Sequence, residues 1–336
     1  MSIYPHPPLR LLSIFAIILL TSVLTLAQHD GGTVGGGTIG GGTKPATKPA
    51  PKPATKPAGT TSNTTTPRRR TTPAATAPVR KPVTRTPTAE TYMAQGDQYY
   101  DAKNYNDALQ AYLGAVQLNP SLANAHYRIG WIYNDQGHFQ QAIDSLNRAR
   151  SLQSNNSATH AELGYSYRKL KRWDQALAAY RQAIAIKPDY ATAYYDIGWI
   201  YNELKSYDDA IPNLKQAIKI KPDYADARNE YAYSLHKVGR KTEAIEEYIE
   251  SIRVKPGIAS SHIGLGDVYY ATKQYGLAVN SYNAGLRIDP NNAEGRYSLG
   301  LSYYALNNRN AALEQYRILQ RIDPDRATKL FNAINK

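Results

Sequence analysis

Proline stands at positions 120, 188, 222, 256, 290 and 324, every interval a multiple of 34 residues, and Ser154 fills the one gap in the series. A fixed period held without insertion from residue 89 to residue 326 constrains the fold more than any single motif. Each unit is one supersecondary element that cannot bury its apolar face alone, so it must stack on copies of itself. Counting back from the prolines defines seven units: 89–122, 123–156, 157–190, 191–224, 225–258, 259–292 and 293–326. The eighth place of each unit is Gly, or Ala at Ala232, and the twentieth is always Ala, as at Ala142 and Ala210. The eleventh is Tyr, or Leu at Leu235, and the twenty-fourth is Tyr or Leu, as at Tyr180 and Leu214.

These places fall on two helical stripes. Places 4, 7, 8 and 11 lie at i, i+3, i+4 and i+7, one face of a helix, and places 20, 21, 24, 27 and 28 form a second stripe on a second helix. Small residues where the stripes meet let the two axes approach. Proline at place 32 ends the second helix because it lacks the donor that the next turn needs. Pro212 falls inside a second-helix pattern but is expected in its first turn after Asp208, where it is tolerated. Residues 327–336 carry Leu330, Phe331 and Ile334 on one side and predict a short C-terminal capping helix over the last open stripe.

The unit resembles the tetratricopeptide repeat, whose 34 residues carry small residues at places 8, 20 and 27. Place 27 here is Ala115, Ala149, Ala183, Ala217, Ser251, Gly285 and Leu319, so the last unit departs from the pattern. The resemblance implies an all-α, right-handed superhelical solenoid of helix-turn-helix repeats over 89–326. It also implies a concave groove, lined by places 2, 5, 6, 9, 12 and 13, that holds peptides. On that reading the expected groove residues are Tyr127, Trp131, Asn134, Tyr165, Arg168, Tyr195, Trp199, Asn202, Tyr233, Tyr270 and Tyr304. Trp131, Tyr165, Trp199 and Tyr233 form a contact ladder, with Asn134 and Asn202 placed to bond a ligand backbone. The bland alternative is that the aromatics pack between neighbouring first helices.

The family's basic clamp for C-terminal carboxylates is absent: the first three units offer Met93 and Asp97, then Arg128, then Ala158 and Glu162. The six groove places hold 11 acids against four bases, Arg128, Arg168, Lys169 and Lys237. The groove is therefore expected to prefer neutral or basic protein or peptide partners.

The overall charge of +13 does not contradict this, because of where it resides. Residues 1–88 hold 11 Lys and Arg against the single acid Asp30, whereas 89–336 hold 29 against 26. A basic globular nucleic-acid binder is not expected. Arg10 precedes the uncharged run Leu11 to Ala27, and Thr25-Leu26-Ala27 offers small residues where a signal peptidase cleaves, so 1–27 reads as a signal peptide. The alternative is a retained anchor, with membrane contact only through residues 11–27. Residues 28–88 form a basic linker. Its stretch 31–88 has 10 Pro, 16 Thr, 9 Gly and no aromatic residue, a composition that cannot offset ordering entropy and predicts disorder. Lys44 to Pro57 repeats Lys-Pro-Ala-Thr, and prolines four apart in a polyproline II chain recur at about the spacing of stacked helices. This basic, Pro-rich linker could thus enter the chain's own groove.

Enzymatic readings find no support. With no cysteine there is no thiol nucleophile or cysteine metal site. His126, His160 and His262 each occupy place 4 of a different unit, too far apart to share a metal ion. No phosphate loop or nucleophile elbow occurs, so no cofactor, metal or catalytic residue is expected. The sequence predicts an exported or membrane-tethered scaffold that binds other proteins. The alternative is a cell-envelope attachment protein whose linker binds anionic polymer or lipid head groups.

Overall fold

A computed structural model describes residues 86–335; the expected targeting segment at 1–27, nearly all of the linker and Lys336 lie outside the described residues. The described residues form fifteen helices: α1 (Ala89–Asp101), α2 (Tyr105–Leu118), α3 (Ala123–Asp135), α4 (Phe139–Leu152), α5 (Ser157–Lys169), α6 (Trp173–Ile186), α7 (Ala191–Glu203), α8 (Tyr207–Ile220), α9 (Ala225–Lys237), α10 (Lys241–Val254), α11 (Ala259–Ala271), α12 (Tyr275–Ile288), α13 (Ala293–Ala305), α14 (Arg309–Ile322) and α15 (Pro324–Ile334). Each 34-residue unit supplies a hairpin of a 13-residue and a 14-residue helix, and each second helix packs on the next first helix. The architecture is an all-α solenoid of helix-turn-helix repeats. Among the described residues no helix is long and apolar enough to cross a membrane.

Within a hairpin the first helix rests its place-8 glycine on the place-24 side chain of the second. A Cβ built on Gly198 would lie 2.5 Å from Leu214 Cγ, and one on Gly96 would lie 2.5 Å from Tyr112 Cε1. Leu214 and Tyr112 are themselves completely buried. The last unit does this differently. Gly300 rests on Leu330 of α15, 2.5 Å from a built Cβ, and Leu319, the departure from the pattern at place 27, is buried against Ala327, Leu330 and Ile334.

The core stripe differs from the expected one in two places. Place 11 is buried at Leu235 and Tyr269 but lies at the edge elsewhere: Tyr133, Tyr167, Tyr201 and Tyr303 are only partly buried, and Tyr99 is exposed. Places 3 and 10 are buried instead, as at Ala125, Ile132, Ala193 and Ile200, because they face the second helix of the preceding unit. A helix inside a solenoid has two neighbours, and one i, i+3, i+4 stripe accounts for only one of them. Phe331 is likewise exposed, stacking on Tyr316 at 5.1 Å, while Ala327, Leu330 and Ile334 make the buried face of α15. Pro212 is the sixth residue of α8, one turn deeper than expected, and sits on its exposed side.

Every hairpin turn has place 15 in the left-handed region: Lys103, Gly137, Lys171, Lys205, Gly239, Lys273 and Asn307 have φ between 57° and 85°. The amide of place 16 then donates to the carbonyl of place 11, as from Ser206 to Tyr201 at 2.9 Å, which satisfies the open end of the first helix. The connections between units are tied by place 4. The Nε2–H groups of His126, His160 and His262 donate to the carbonyls of Pro120, Ser154 and Pro256 at 2.9–3.1 Å, and Arg228 and Arg296 do the same for Pro222 and Pro290.

The place-8 contact yields a stability test. Alanine at an exposed helical glycine stabilises by roughly 1 kcal/mol, and Gly276, with nothing within 4 Å of a built Cβ, is the reference. Gly198→Ala is expected to destabilise, and Leu214→Ala alone to cost about 2–5 kcal/mol. In the Leu214→Ala background, Gly198→Ala becomes neutral or stabilising. Urea unfolding of the four-member cycle measures this coupling.

Candidate functional site

The first helices lie side by side, and two cavities open on the row formed by their places 2, 5, 6, 9, 12 and 13. One, of about 260 Å³, is bounded by Trp131, Glu162, Tyr165, Tyr180 and Asp196; the other, of about 350 Å³, by Trp199, Glu230, Tyr233, Tyr248 and Asp267. Their walls repeat at 68 residues, two units, rather than 34. Trp131 and Trp199, Asn134 and Asn202, Glu162 and Glu230, Tyr165 and Tyr233, and Tyr180 and Tyr248 are equivalent pairs.

The four ladder aromatics are half-buried, and each packs against an aromatic at place 17 of the preceding unit. The ring pairs are Trp131 on Tyr105 at 5.3 Å, Tyr165 on Phe139 at 6.2 Å, Trp199 on Trp173 at 6.2 Å and Tyr233 on Tyr207 at 5.9 Å. The ladder therefore contributes both to the seam between units and to the cavity walls. Its partners at place 17 were legible as the recurring Tyr105, Phe139, Trp173 and Tyr207, but fell outside the stripes considered.

Asn134 and Asn202, expected from sequence to bond a ligand backbone, stand in the cavity walls with their amides already engaged within the protein. Both are buried, and each closes a polar clamp between units. Asn134 Nδ2 donates to the Glu162 carbonyl at 3.2 Å and to Glu162 Oε2 at 2.8 Å, while its Oδ1 accepts from Ser166 Oγ at 2.6 Å. Asn202 repeats the pattern with Glu230 and Ser234 at 3.1, 2.9 and 2.6 Å. The remaining expected residues lie beside the cavities rather than in their walls. Arg168 lies over Trp199 at 4.8 Å and Tyr165 at 5.4 Å, with Nε 3.4 Å from Asp196 Oδ1. Tyr127 is half-buried, and burial followed by the charge of Glu162 raises its pKa to about 12. Tyr195 packs on Tyr224 at 5.0 Å, Tyr270 on Tyr275 at 5.4 Å, and Tyr304 is exposed.

One carboxylate per unit, from the third to the sixth, is drawn below the groove surface. Desolvation raises the pKa of Glu162 and Glu230 against the opposing bonds from Asn134 and Asn202. It raises Asp196 to about 6 despite Arg168, and Asp267 to about 6 despite a 2.7 Å bond from the Tyr282 hydroxyl. Such groups hold negative charge in a poorly solvated place, where an incoming cation or donor interacts more strongly than on an open surface. No group of three or more metal-ligating side chains occurs among the described residues.

Tetratricopeptide-repeat models match residues 123–156, 156–223, 201–257 and 294–326, and a TPR-repeat model matches 96–133 and 266–307. The chain belongs to the tetratricopeptide repeat family. No curated protein matches it. Solved TPR-like structures share the fold. PilF of Pseudomonas aeruginosa is 20% identical, with a TM-score of 0.57 over 63% of this chain and 96% of that one. PilW, a type IV pilus biogenesis factor, is 21% identical, with a TM-score of 0.56 over 62% and 98%. A tetratricopeptide repeat protein of Parabacteroides merdae is 17% identical, with a TM-score of 0.55 over 74% and 99%.

Two outcomes follow for this TPR array. Asn202→Ala removes the donor to the buried Glu230 Oε2 and leaves the Ser234 hydroxyl only the Glu230 carbonyl of its own helix. It is expected to cost about 1–3 kcal/mol in urea unfolding, a loss that a purely ligand-facing asparagine would not show. Asp267 has a folded pKa of about 6, above its ordinary 3.8, so the folded state binds the proton more tightly. Its destabilising effect is full above about 6 and is relieved as pH falls toward 3.8, by at most about 1.4 kcal/mol per pH unit. Thermal unfolding of Asp267→Asn is expected to show a weaker rise in Tm over that window than the parent chain.

Proposed function

We propose that the protein is a non-catalytic scaffold that binds partner proteins or peptides, neutral or basic in character, along its first-helix groove. The observation that carries this reading is the pair of groove cavities, each walled by one Trp and two or more Tyr over desolvated carboxylates. Aromatic anchors in partly enclosed pockets are typical of binding hot spots, and carboxylates at depth select for positive or hydrogen-donating groups. We also propose export, on the composition of residues 1–27, with the linker holding the repeats away from the membrane or exit site. The likeness to PilW, described as a pilus biogenesis factor, is compatible with an envelope setting.

The test is capture of partners by the full chain, by Trp131→Ala and by Trp199→Ala, with circular dichroism to establish that each variant is folded. Groove binding predicts loss of capture in the variants and persistence at raised salt. Attachment through the basic linker predicts the reverse, because screening shortens as ionic strength rises. Equal capture by all three folded chains would overturn the groove assignment.

A further inference from the structure

The seam between the third and fourth units displays how this groove treats a cation. Arg168, at place 12, lies over Trp199 at 4.8 Å and over Tyr165 at 5.4 Å, and its Nε stands 3.4 Å from Asp196, at place 6 of the next unit. Two units further on, Tyr233 keeps the ring of Tyr165, Asp267 stands where Trp199 does and supplies the negative charge, and the cation is lost. Place 12 is His236, and burial together with Lys237 and Lys241 lowers its pKa and favours the neutral ring. Place 6 of the next unit is Gly264, so no side chain fills the space that Asp196 occupies in the earlier seam. What remains is the cavity of about 350 Å³.

Its charge is lopsided. Glu203, Glu230, Asp267 and Glu294 line it, and Lys237 is the one Lys or Arg that does. That ammonium rests over the Tyr233 ring at 5.0 Å, while Glu294 is shared with Arg326 at 2.7 Å. Glu230 takes donors only from neutral asparagines, Asn202 and Asn229, and Asp267 from the Tyr282 hydroxyl. Polar atoms in the wall are also unused. Tyr248 is 2% exposed, and its hydroxyl points at Gly264, where a built Cβ would lie 2.4 Å away. It makes no hydrogen bond among the described residues, and burial first, then the charges of Asp267, Glu230 and Tyr233, raises its pKa. His236 Nδ1 is buried without a partner in the same wall.

We propose that this cavity receives one cationic side chain, arginine or lysine, from an extended polypeptide lying along the groove, in the manner in which Arg168 occupies the earlier seam. The proposal rests on the groove reading above and adds the chemistry of the ligand. The cation would sit against Trp199 and Tyr233, meet Glu230 and Asp267, and supply the missing donor to Tyr248 Oη. A guanidinium has the better match to the Trp face and can donate to two carboxylates at once; an ammonium satisfies the same charge as a point donor.

The experiment uses three labelled peptides based on residues 44–57: with the four lysines kept, with all four replaced by arginine, and with all four replaced by glutamine. The protein is the full chain carrying Lys44→Gln, Lys48→Gln, Lys52→Gln and Lys56→Gln, so that these lysines do not compete. Fluorescence anisotropy at low salt is expected to show the lysine and arginine peptides binding about tenfold or more tightly than the glutamine peptide. Tighter binding of the arginine form identifies the guanidinium as the preferred group. Glu230→Gln with Asp267→Asn, isosteres that keep the bonds to Asn202 and Tyr282, should abolish that preference and leave the glutamine peptide unaffected. Glu203→Gln, on the exposed rim, gives a smaller loss without risk to the fold. Equal binding of the three peptides that still falls with Trp199→Ala would overturn the cation site while leaving the groove reading intact. Absence of binding by all three, or a preference retained in the double variant, would also overturn the cation site.

Discussion

The close approach of the two helices in five of the hairpins, a bare Cα at place 8 seated on a fully buried side chain at place 24, sets the rest of the structure. Because Gly198 has no Cβ, Leu214 can fill the angle between α7 and α8 with no exposed area of its own. Fixing that angle in five of the seven hairpins fixes how one hairpin presents itself to the next, and hence the side-by-side row of first helices on which the groove is built. The identity of the place-24 residue then reaches the groove. Where it is Leu, at Leu146 and Leu214, place 9 of the same unit is Trp; where it is Tyr180 or Tyr248, place 9 is Tyr; and where it is Tyr112 or Tyr282, place 9 is an Asp that accepts its hydroxyl at 2.7 Å. In the first six units core and groove are thus written by one pair of positions; the seventh, with Tyr316 and Leu301, departs from the pairing.

Much of this was legible in the sequence, because the repeat averages over seven copies. The period, the hairpins and the capping role of the last helix rest on residues such as Ala210, Gly198 and Leu330, whose requirement is geometric and local. Less legible was whatever depends on two units at once. Asn134 and Asn202 look like free hydrogen-bonding groups on a groove stripe, and only the neighbouring helix reveals that Ser166 and Ser234 already claim them. Ile132 and Ile200 were missed for the same reason. A periodicity argument sees one helix face at a time, while a first helix in a solenoid must satisfy its own partner and the previous unit together.

The electrostatics of the groove show the same dependence on neighbours. Eleven acids at six places suggest a uniformly negative surface, but the deep ones behave differently from the shallow ones. Asp196 faces Arg168 and Asp267 faces a tyrosine hydroxyl, whereas Glu162 and Glu230 are held by amide donors that orient the carboxylate without neutralising it. Burial acts on all four in the same direction, and the charge that remains is decided by the residue each one meets, from the preceding unit for Glu162, Asp196 and Glu230 and from its own unit for Asp267.

The polar clamps have a further consequence, for the way an array of near-identical units finds its order. A solenoid can fail by stacking a hairpin on the wrong neighbour, since the apolar faces are interchangeable. The seams here are keyed: an Asn–Glu–Ser clamp joins the second unit to the third and the fourth to the fifth, an arginine–aspartate pair joins the third to the fourth, and a hydroxyl relay through Ser251, Ser261 and Asn229 joins the fifth to the sixth. Skipping one unit would set a buried amide against a seam that cannot accept it, at a cost of about 1–3 kcal/mol per orphaned group. Skipping two would match clamp to clamp. The register error this chain is least protected against is therefore a slip of one full double repeat.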